Sequence, residues 1–278
     1  MGTKSRAGGF LKSCPLFLLR VVIAYSLFLV ALYVFQRHLL HHPDTYDHAV
    51  LIRNAQAEGG SLWPSDTAYR GILFANPNQD SRGTILLFHG NAGSALDRGY
   101  YVRHLLPLGF RIILLEYPGY GNRAGDLDED SLTADGASSL RLASEQFGPP
   151  IYVVGESLGG GVAAASYARA SIPVAGIVLI TPWDTLANVA QSIYWFLPAR
   201  YLTKDSYDSV ANLKGFAGPL AIIQAGNDDL VPGSSTQSLF ESFAGKKRLW
   251  RMEGATHNTW DQFADRRLWT QLGTYLTE

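Results

Sequence analysis

Between Pro15 and Phe35 the chain is almost wholly apolar apart from Arg20, and this stretch stands apart from everything after it. Its 21 residues span about 31 Å as a helix, enough to cross a bilayer. From about Pro43 the pattern becomes that of a globular protein. Short β-branched or alternating runs recur at Tyr69 to Phe74, Thr84 to Phe88, Arg111 to Leu115, Ile151 to Val154, Gly176 to Ile180, Leu220 to Gln224 and Arg248 to Arg251. Between them Ser94 to Pro107, Ser131 to Phe147, Leu158 to Ala170, Ser234 to Phe243 and Asn258 to Leu276 have helical character. Strands alternating with helices predict βαβ units, hence a mostly parallel central sheet with helices on both faces. In such sheets reactive groups gather at the carboxyl ends of the strands.

Composition narrows this to one large α/β domain plus an appendage: 278 residues, 47% hydrophobic and 17% charged, give ample material for a core. A formal net charge of −1 carries neither the basic excess of a nucleic-acid surface nor the acidic excess of a disordered chain. Cys14, the single cysteine, excludes an intramolecular disulfide and a cysteine metal cluster.

The amino-terminal segment reads as a retained span. It ends in bulky Tyr33, Val34, Phe35 and Gln36, without the small-residue site that signal peptidase needs. Lys4, Arg6, Lys12 and Arg20 flank its start, and Arg37 alone follows closely, which places the amino terminus in the cytoplasm and the remainder in periplasm, lumen or exterior. Arg6 stands where myristoylation of Gly2 would want Ser or Thr. Cys14 reads as an apolar passenger rather than a palmitoylation site. His38, His41 and His42 have no carboxylates nearby in sequence and read as interfacial linker residues, not metal ligands. The expected organisation is 1–42 for tail, anchor and linker, then 43–278 for the α/β domain.

Chemistry centres on Ile151-Tyr152-Val153-Val154-Gly155-Glu156-Ser157-Leu158-Gly159. A Gly-x-Ser-x-Gly between a strand and a helix is a nucleophile elbow, so tight that glycine is required on either side of the exposed serine. A serine hydroxyl is a poor nucleophile at neutral pH and needs a base, and the base needs an acid to fix its tautomer. His257, in the turn after the last strand, is the sole histidine downstream of Ser157. Asp228 and Asp229 follow the strand ending at Gln224, on the loop where the acid is expected. An acyl-transfer reaction also needs two N–H donors for its oxyanion, and the backbone amides of Asn91, in His89-Gly90-Asn91-Ala92-Gly93, and of Leu158 are the candidates.

Taken together, His89-Gly90-Asn91-Ala92-Gly93, Glu116-Tyr117-Pro118-Gly119-Tyr120-Gly121, the Ser157 elbow, Asp228-Asp229-Leu230-Val231-Pro232 and Gly254-Ala255-Thr256-His257-Asn258 resemble the motifs of the α/β-hydrolases. More narrowly, the chain is similar to membrane-anchored serine hydrolases with one amino-terminal span. The resemblance implies the α/β-hydrolase fold and hydrolysis of carboxylic esters or thioesters without a metal or other cofactor. The family's Asp-x-x-Val-Pro pattern falls on Asp228 rather than Asp229. The chain departs from many relatives at Asn122 and Arg123, where serine is common, and the role of that loop stays open.

Asp184, after the strand ending at Ile180, is the alternative acid. Glu116 reads as a structural hydrogen-bonding residue, and Glu156 carries no assigned role. The segment 183–214 is longer than a connection requires, and its Tyr194-Trp195-Phe196-Leu197-Pro198 run suits either a small lid over the serine or a crossover helix packed on the sheet. An aromatic lid facing the elbow would favour a lipid or acyl-chain ester. The expected partners are therefore a small-molecule or lipid ester and the membrane, with no nucleic acid. The alternative is a membrane-tethered binding or scaffold protein that kept the fold and lost turnover.

Overall fold

The computed structural model describes residues 10–277, with side chains from residue 15 onward. Gly2, Lys4 and Arg6, and the side chains of Lys12 and Cys14, lie outside the described residues. Helix α1 (Phe10–Leu40) is continuous through Pro15, and within its part Pro15–Leu40 an 18-residue stretch has a mean hydropathy of 2.3 with none of that stretch buried. At 26 residues this part rises about 39 Å, longer than the expected 21-residue span.

The second compact unit begins at His41. After helix α2 (His48–Ala57) come strands β1 (Ser61–Trp63), β2 (Gly71–Phe74) and β3 (Thr84–Phe88), then helix α3 (Gly99–Leu105) and strand β4 (Arg111–Leu115). Helix α4 (Glu129–Phe147), strand β5 (Ile151–Glu156), helix α5 (Leu158–Ala170) and strand β6 (Gly176–Ile180) follow. Helices α6 (Leu186–Ile193), α7 (Ala199–Leu202) and α8 (Ser209–Leu213) lead to strand β7 (Leu220–Ala225), helix α9 (Gly233–Ser242), strand β8 (Lys247–Met252) and helices α10 (Trp260–Phe263) and α11 (Arg266–Thr277).

The eight strands form one sheet in the order β8-β7-β6-β5-β3-β4-β2-β1, parallel from β8 to β4 and antiparallel at β2 and β1. Every residue of β3, β6 and β7 is buried, as a parallel sheet covered on both faces requires. On β3, Ile85 and Leu87 join an apolar core cluster that reaches Tyr101, Val154, Ile223, Trp260 and Trp269. β5 and β3 sit at the middle of the sheet, so the turn after β5 emerges at its centre.

The fold departs from the sequence pattern in three places. The predicted helix from Asn258 to Leu276 is two helices, because Asp265 accepts the Leu268 N–H at 2.8 Å and caps a fresh start. Helix α2 and strand β1 lacked a readable period and appear only in the fold. The third departure is His41, which is not an interfacial linker residue: it is 3% exposed, and its Nδ1 lies 3.0 Å from the Tyr120 hydroxyl. The chain beyond it pairs in parallel with the 92–93 turn, His42 N–H donating to Asn91 O at 2.9 Å and Asp44 N–H to Gly93 O at 3.0 Å.

Candidate active site

Ser157 occupies the turn between β5 and α5 at φ 53 and ψ −117, a left-handed conformation that costs a non-glycine residue about 1–3 kcal/mol. The fold holds it there: its N–H donates to Ile180 O on β6 at 2.9 Å, and its carbonyl accepts from Gly160 N–H at 2.8 Å. The flanking glycines are required by close approach. A Cβ on Gly155 would lie 2.5 Å from Gly159 O, and one on Gly159 would lie 2.1 Å from Phe88 O. The end of β3 is thus pressed directly against the elbow.

Although Ser157 occupies the cap position of α5, its hydroxyl makes no capping bond. Its Oγ instead lies 2.8 Å from His257 Nε2, across 100 residues of chain. His257 Nδ1 faces the Asp228 carboxylate, 3.0 Å from Oδ1 and 2.9 Å from Oδ2, with both side chains almost fully buried. A carboxylate beside Nδ1 keeps the proton on that nitrogen and leaves Nε2 bare to accept from the serine. Asp228 Oδ1 also accepts the N–H groups of Leu230 at 3.0 Å and Val231 at 2.7 Å. The two loops are stitched together, since Asn227 N–H donates to Ala255 O at 2.8 Å and His257 N–H to Asp229 Oδ1 at 3.3 Å.

Asp184, the alternative acid, is turned elsewhere. It receives hydrogen bonds from the Ser235 hydroxyl at 2.5 Å, Thr185 N–H at 2.7 Å and Asn188 Nδ2 at 2.8 Å, so its oxygens brace the start of α6 against α9.

Around the Asn91 turn the structure builds a buried polar scaffold. His89 presents Nδ1 to Gly90 O at 2.8 Å and Nε2 to Glu116 Oε1 at 3.2 Å. Glu116, as expected, is structural, accepting also from the Tyr69 hydroxyl at 3.1 Å and Ala95 N–H at 3.3 Å. The hydroxyls of Tyr117 and Tyr120 donate to the carbonyls of His89 and Asn91, each at 2.7 Å. Burial, reinforced for Tyr69 and Tyr120 by the Glu116 carboxylate, pushes these phenols well above their ordinary pKa and keeps them as donors. Leu158 begins α5, where the first amides of a helix have no intrahelical acceptor.

Glu156, beside the serine, faces away from the reaction: its Oε2 accepts from Tyr100 and Tyr101 at 2.7 and 2.8 Å. The Arg98 guanidinium stands beside it at 3.6 Å and donates to Ala92 O at 2.9 Å, joining the elbow to the Asn91 turn. Sequence reasoning missed Arg98, Tyr100 and Tyr101 because nothing in their spacing relates them to residues 92 and 156. Arg123 forms a two-pronged pair with Asp135 at 2.7 Å per prong, and Asn122 Nδ2 donates to Tyr46 O at 3.0 Å. The loop whose role was open is therefore braced on two sides. Among the described residues no group of three or more His, Cys, Asp or Glu is placed to hold a metal ion.

Three comparisons bear on this geometry. Residues 83–215 match the family model described as the alpha/beta hydrolase fold. An uncharacterized protein of Mycobacterium tuberculosis is 31% identical over 211 residues, covering 75% of this chain and 74% of that protein. The lysophosphatidylserine lipase ABHD12 of Danio rerio is 27% identical over 207 residues; the match covers 68% of this chain and 54% of the lipase, so the chain spans about half of that relative. Among solved structures, Est1E of Butyrivibrio proteoclasticus, solved with ferulic acid bound, superposes with a TM-score of 0.61 at 14% identity, over 74% of this chain and 94% of its own.

Proposed function

The chain belongs to the alpha/beta hydrolase fold family, and on that footing we propose that it cleaves carboxylic esters or thioesters through Ser157, His257 and Asp228. It is a serine hydrolase of the esterase or lipase type. The observation that carries the reading is the unbroken line Ser157 Oγ, His257 Nε2, His257 Nδ1 and Asp228 carboxylate, with no contact longer than 3.0 Å.

In the first step His257 Nε2 takes the Ser157 proton while Oγ attacks the carbonyl carbon. Asp228 stabilises the imidazolium so formed, and the N–H groups of Asn91 and Leu158 receive the oxyanion. The imidazolium then protonates the departing alcohol or thiol, leaving an acyl group on Ser157. Water, deprotonated by the same nitrogen, attacks that acyl group and releases the acid. The protein's part in these steps is played by the side chains of Ser157, His257 and Asp228 and by two backbone amides.

The acyl group is that of a lipid. Supporting this are α1, long and apolar enough to anchor the protein in a bilayer, and the similarity to a relative named as a lysophosphatidylserine lipase. The inner face of the segment 183–214, which carries the buried Leu197 and Ala199, supplies the lid, while its aromatic run faces solvent and takes no part in covering the serine. The charges flanking α1 put the amino terminus in the cytoplasm with the hydrolase unit across the membrane. A fluorophosphonate probe tests the chemistry: it labels the wild type and leaves Ser157→Ala unlabelled, and labelling of both would refute the assignment. Acyl preference is read with p-nitrophenyl esters, where faster cleavage of acetate than of longer chains would refute a lipid substrate. Reporter fusions at the carboxyl terminus test the topology.

A further inference from the structure

The aromatic run of the 183–214 segment faces solvent, with Trp195 78% and Tyr201 85% exposed and Ile193, Tyr194 and Phe196 exposed beside them. Loose packing does not explain this. Leu197 and Ala199, in the same run, are buried, so the segment has an inner and an outer face. The Gln191 side chain fixes the turn, its Nε2 donating to Leu197 O at 2.9 Å and its Oε1 accepting Arg200 N–H at 3.2 Å. Trp195 and Phe196 pack edge to face at 5.7 Å, and Leu197 N–H donates to Tyr194 O at 2.9 Å. The outer aromatics are therefore held out as a preformed apolar surface. In water each such ring forgoes about 1.5–3 kcal/mol that burial would return.

We infer that this face docks onto the bilayer, the rings of Trp195, Phe196 and Tyr201 entering the headgroup boundary with Arg200 among the lipid phosphates. The inference rests on the membrane anchoring proposed above and adds a second point of contact. Tryptophan and tyrosine are the side chains that settle at a membrane interface, apolar body inward and polar atom toward water. Exposed Arg200 adds the charge that complements phosphate. The same arginine lines a cleft of about 350 Å³ with Asp184, Asn188, Gln191, Ser192 and Ser234, so the docked surface borders an opening in the hydrolase unit. The compact unit starts at His41, the residue after the last of α1 in the chain, so anchoring by α1 tethers this unit to the membrane.

The tryptophans make the test clean. Trp63, Trp183, Trp260 and Trp269 are buried, Trp250 is partly buried, and residues 1–40 contain none. The full chain is reconstituted into phosphatidylcholine vesicles, with and without phosphatidylserine, carrying lipid brominated near the headgroup. Wild-type emission is expected to be quenched and that of Trp195→Phe largely spared. The variant W195S/F196S/Y201S is expected to cleave a vesicle-borne long-chain monoacyl ester about tenfold more slowly, the factor that ~1.4 kcal/mol of lost interfacial contact carries, and a water-soluble short-chain ester at the wild-type rate. Co-flotation with vesicles and equal quenching of wild type and Trp195→Phe overturns docking while leaving anchoring intact, and would assign the face to a protein partner. Failure of the wild type to co-float overturns anchoring and docking together. Quenching at Trp195 in a protein that cleaves no ester refutes the hydrolase reading and sustains the docking.

Discussion

Replacing Asp228 by asparagine changes the site by one atom, and the structure dictates how that atom will be oriented. Oδ1 already accepts two backbone N–H groups, from Leu230 and Val231. An asparagine keeps those bonds only by placing its carbonyl oxygen there, which leaves its NH2 group at the Oδ2 position, the nearer of the two to His257 Nδ1 at 2.9 Å. Two donors cannot share that contact, so Nδ1 gives up its proton and the neutral ring carries it on Nε2. Nε2 then faces Ser157 Oγ as a donor at 2.8 Å and cannot accept the serine proton. Trapping a base in this wrong tautomer lowers kcat by about ten-thousand-fold, or ~5.5 kcal/mol of barrier, as it does in serine proteases with the same arrangement. Asp184→Asn disturbs only the bracing between α6 and α9, at a cost of about 1–3 kcal/mol of stability, and should keep kcat within a few fold. Both variants are assayed on a soluble p-nitrophenyl ester, with thermal denaturation alongside. Turnover by Asp228→Asn within tenfold of wild type, or collapse of Asp184→Asn alone, would refute the reasoning.

The remaining predictions concern the scaffold. Gly159→Ala forces a Cβ against the Phe88 carbonyl and should destabilise the protein by about 3 kcal/mol or more, whereas Gly215→Ala, with open space around it, should change stability by less than about 0.5 kcal/mol; urea unfolding compares the two. Asp135→Asn leaves Arg123 and Arg70 without their shared carboxylate and should cost about 2 kcal/mol or more, read as a lowered Tm. The buried phenols of Tyr69, Tyr101, Tyr117 and Tyr207 have pKa values raised by burial above the ordinary value. Unfolding restores that lower value, so their contribution is whole below about pH 10 and is lost as the pH rises beyond it; urea midpoints should fall between about pH 9 and about pH 11. A midpoint that rises over this interval would contradict their burial.

Much of the architecture was legible because parallel strands buried on both faces are written as continuous apolar runs. Thr84 to Phe88, Arg111 to Leu115 and Gly176 to Ile180 begin and end in the fold where the pattern places them. The turn at Ser157 was equally visible, since close approach of β3 to the elbow tolerates only glycine at 155 and 159, and a steric requirement of that kind leaves its mark in residue type. His257 stood out by its place after the last strand; the place after the strand ending at Gln224 left Asp228 and Asp229 side by side, and it was the resemblance to the α/β-hydrolases that pointed to Asp228.

Tertiary structure decided what depends on contacts between distant residues. Two candidate acids remained on the sequence, and only the folded loops bring the Asp228 carboxylate to His257 Nδ1 while turning Asp184 toward Ser235. His41 looked like linker because its neighbours in sequence are membrane and polar turn; its partner Tyr120 is 79 residues away. Arg98 reaches both Ala92 and Glu156, and the aromatics from Tyr194 to Tyr201 face outward, for the same reason. A one-dimensional pattern records which residues prefer burial or a turn, but the direction a side chain takes in space is set by the packing of segments that the pattern does not connect.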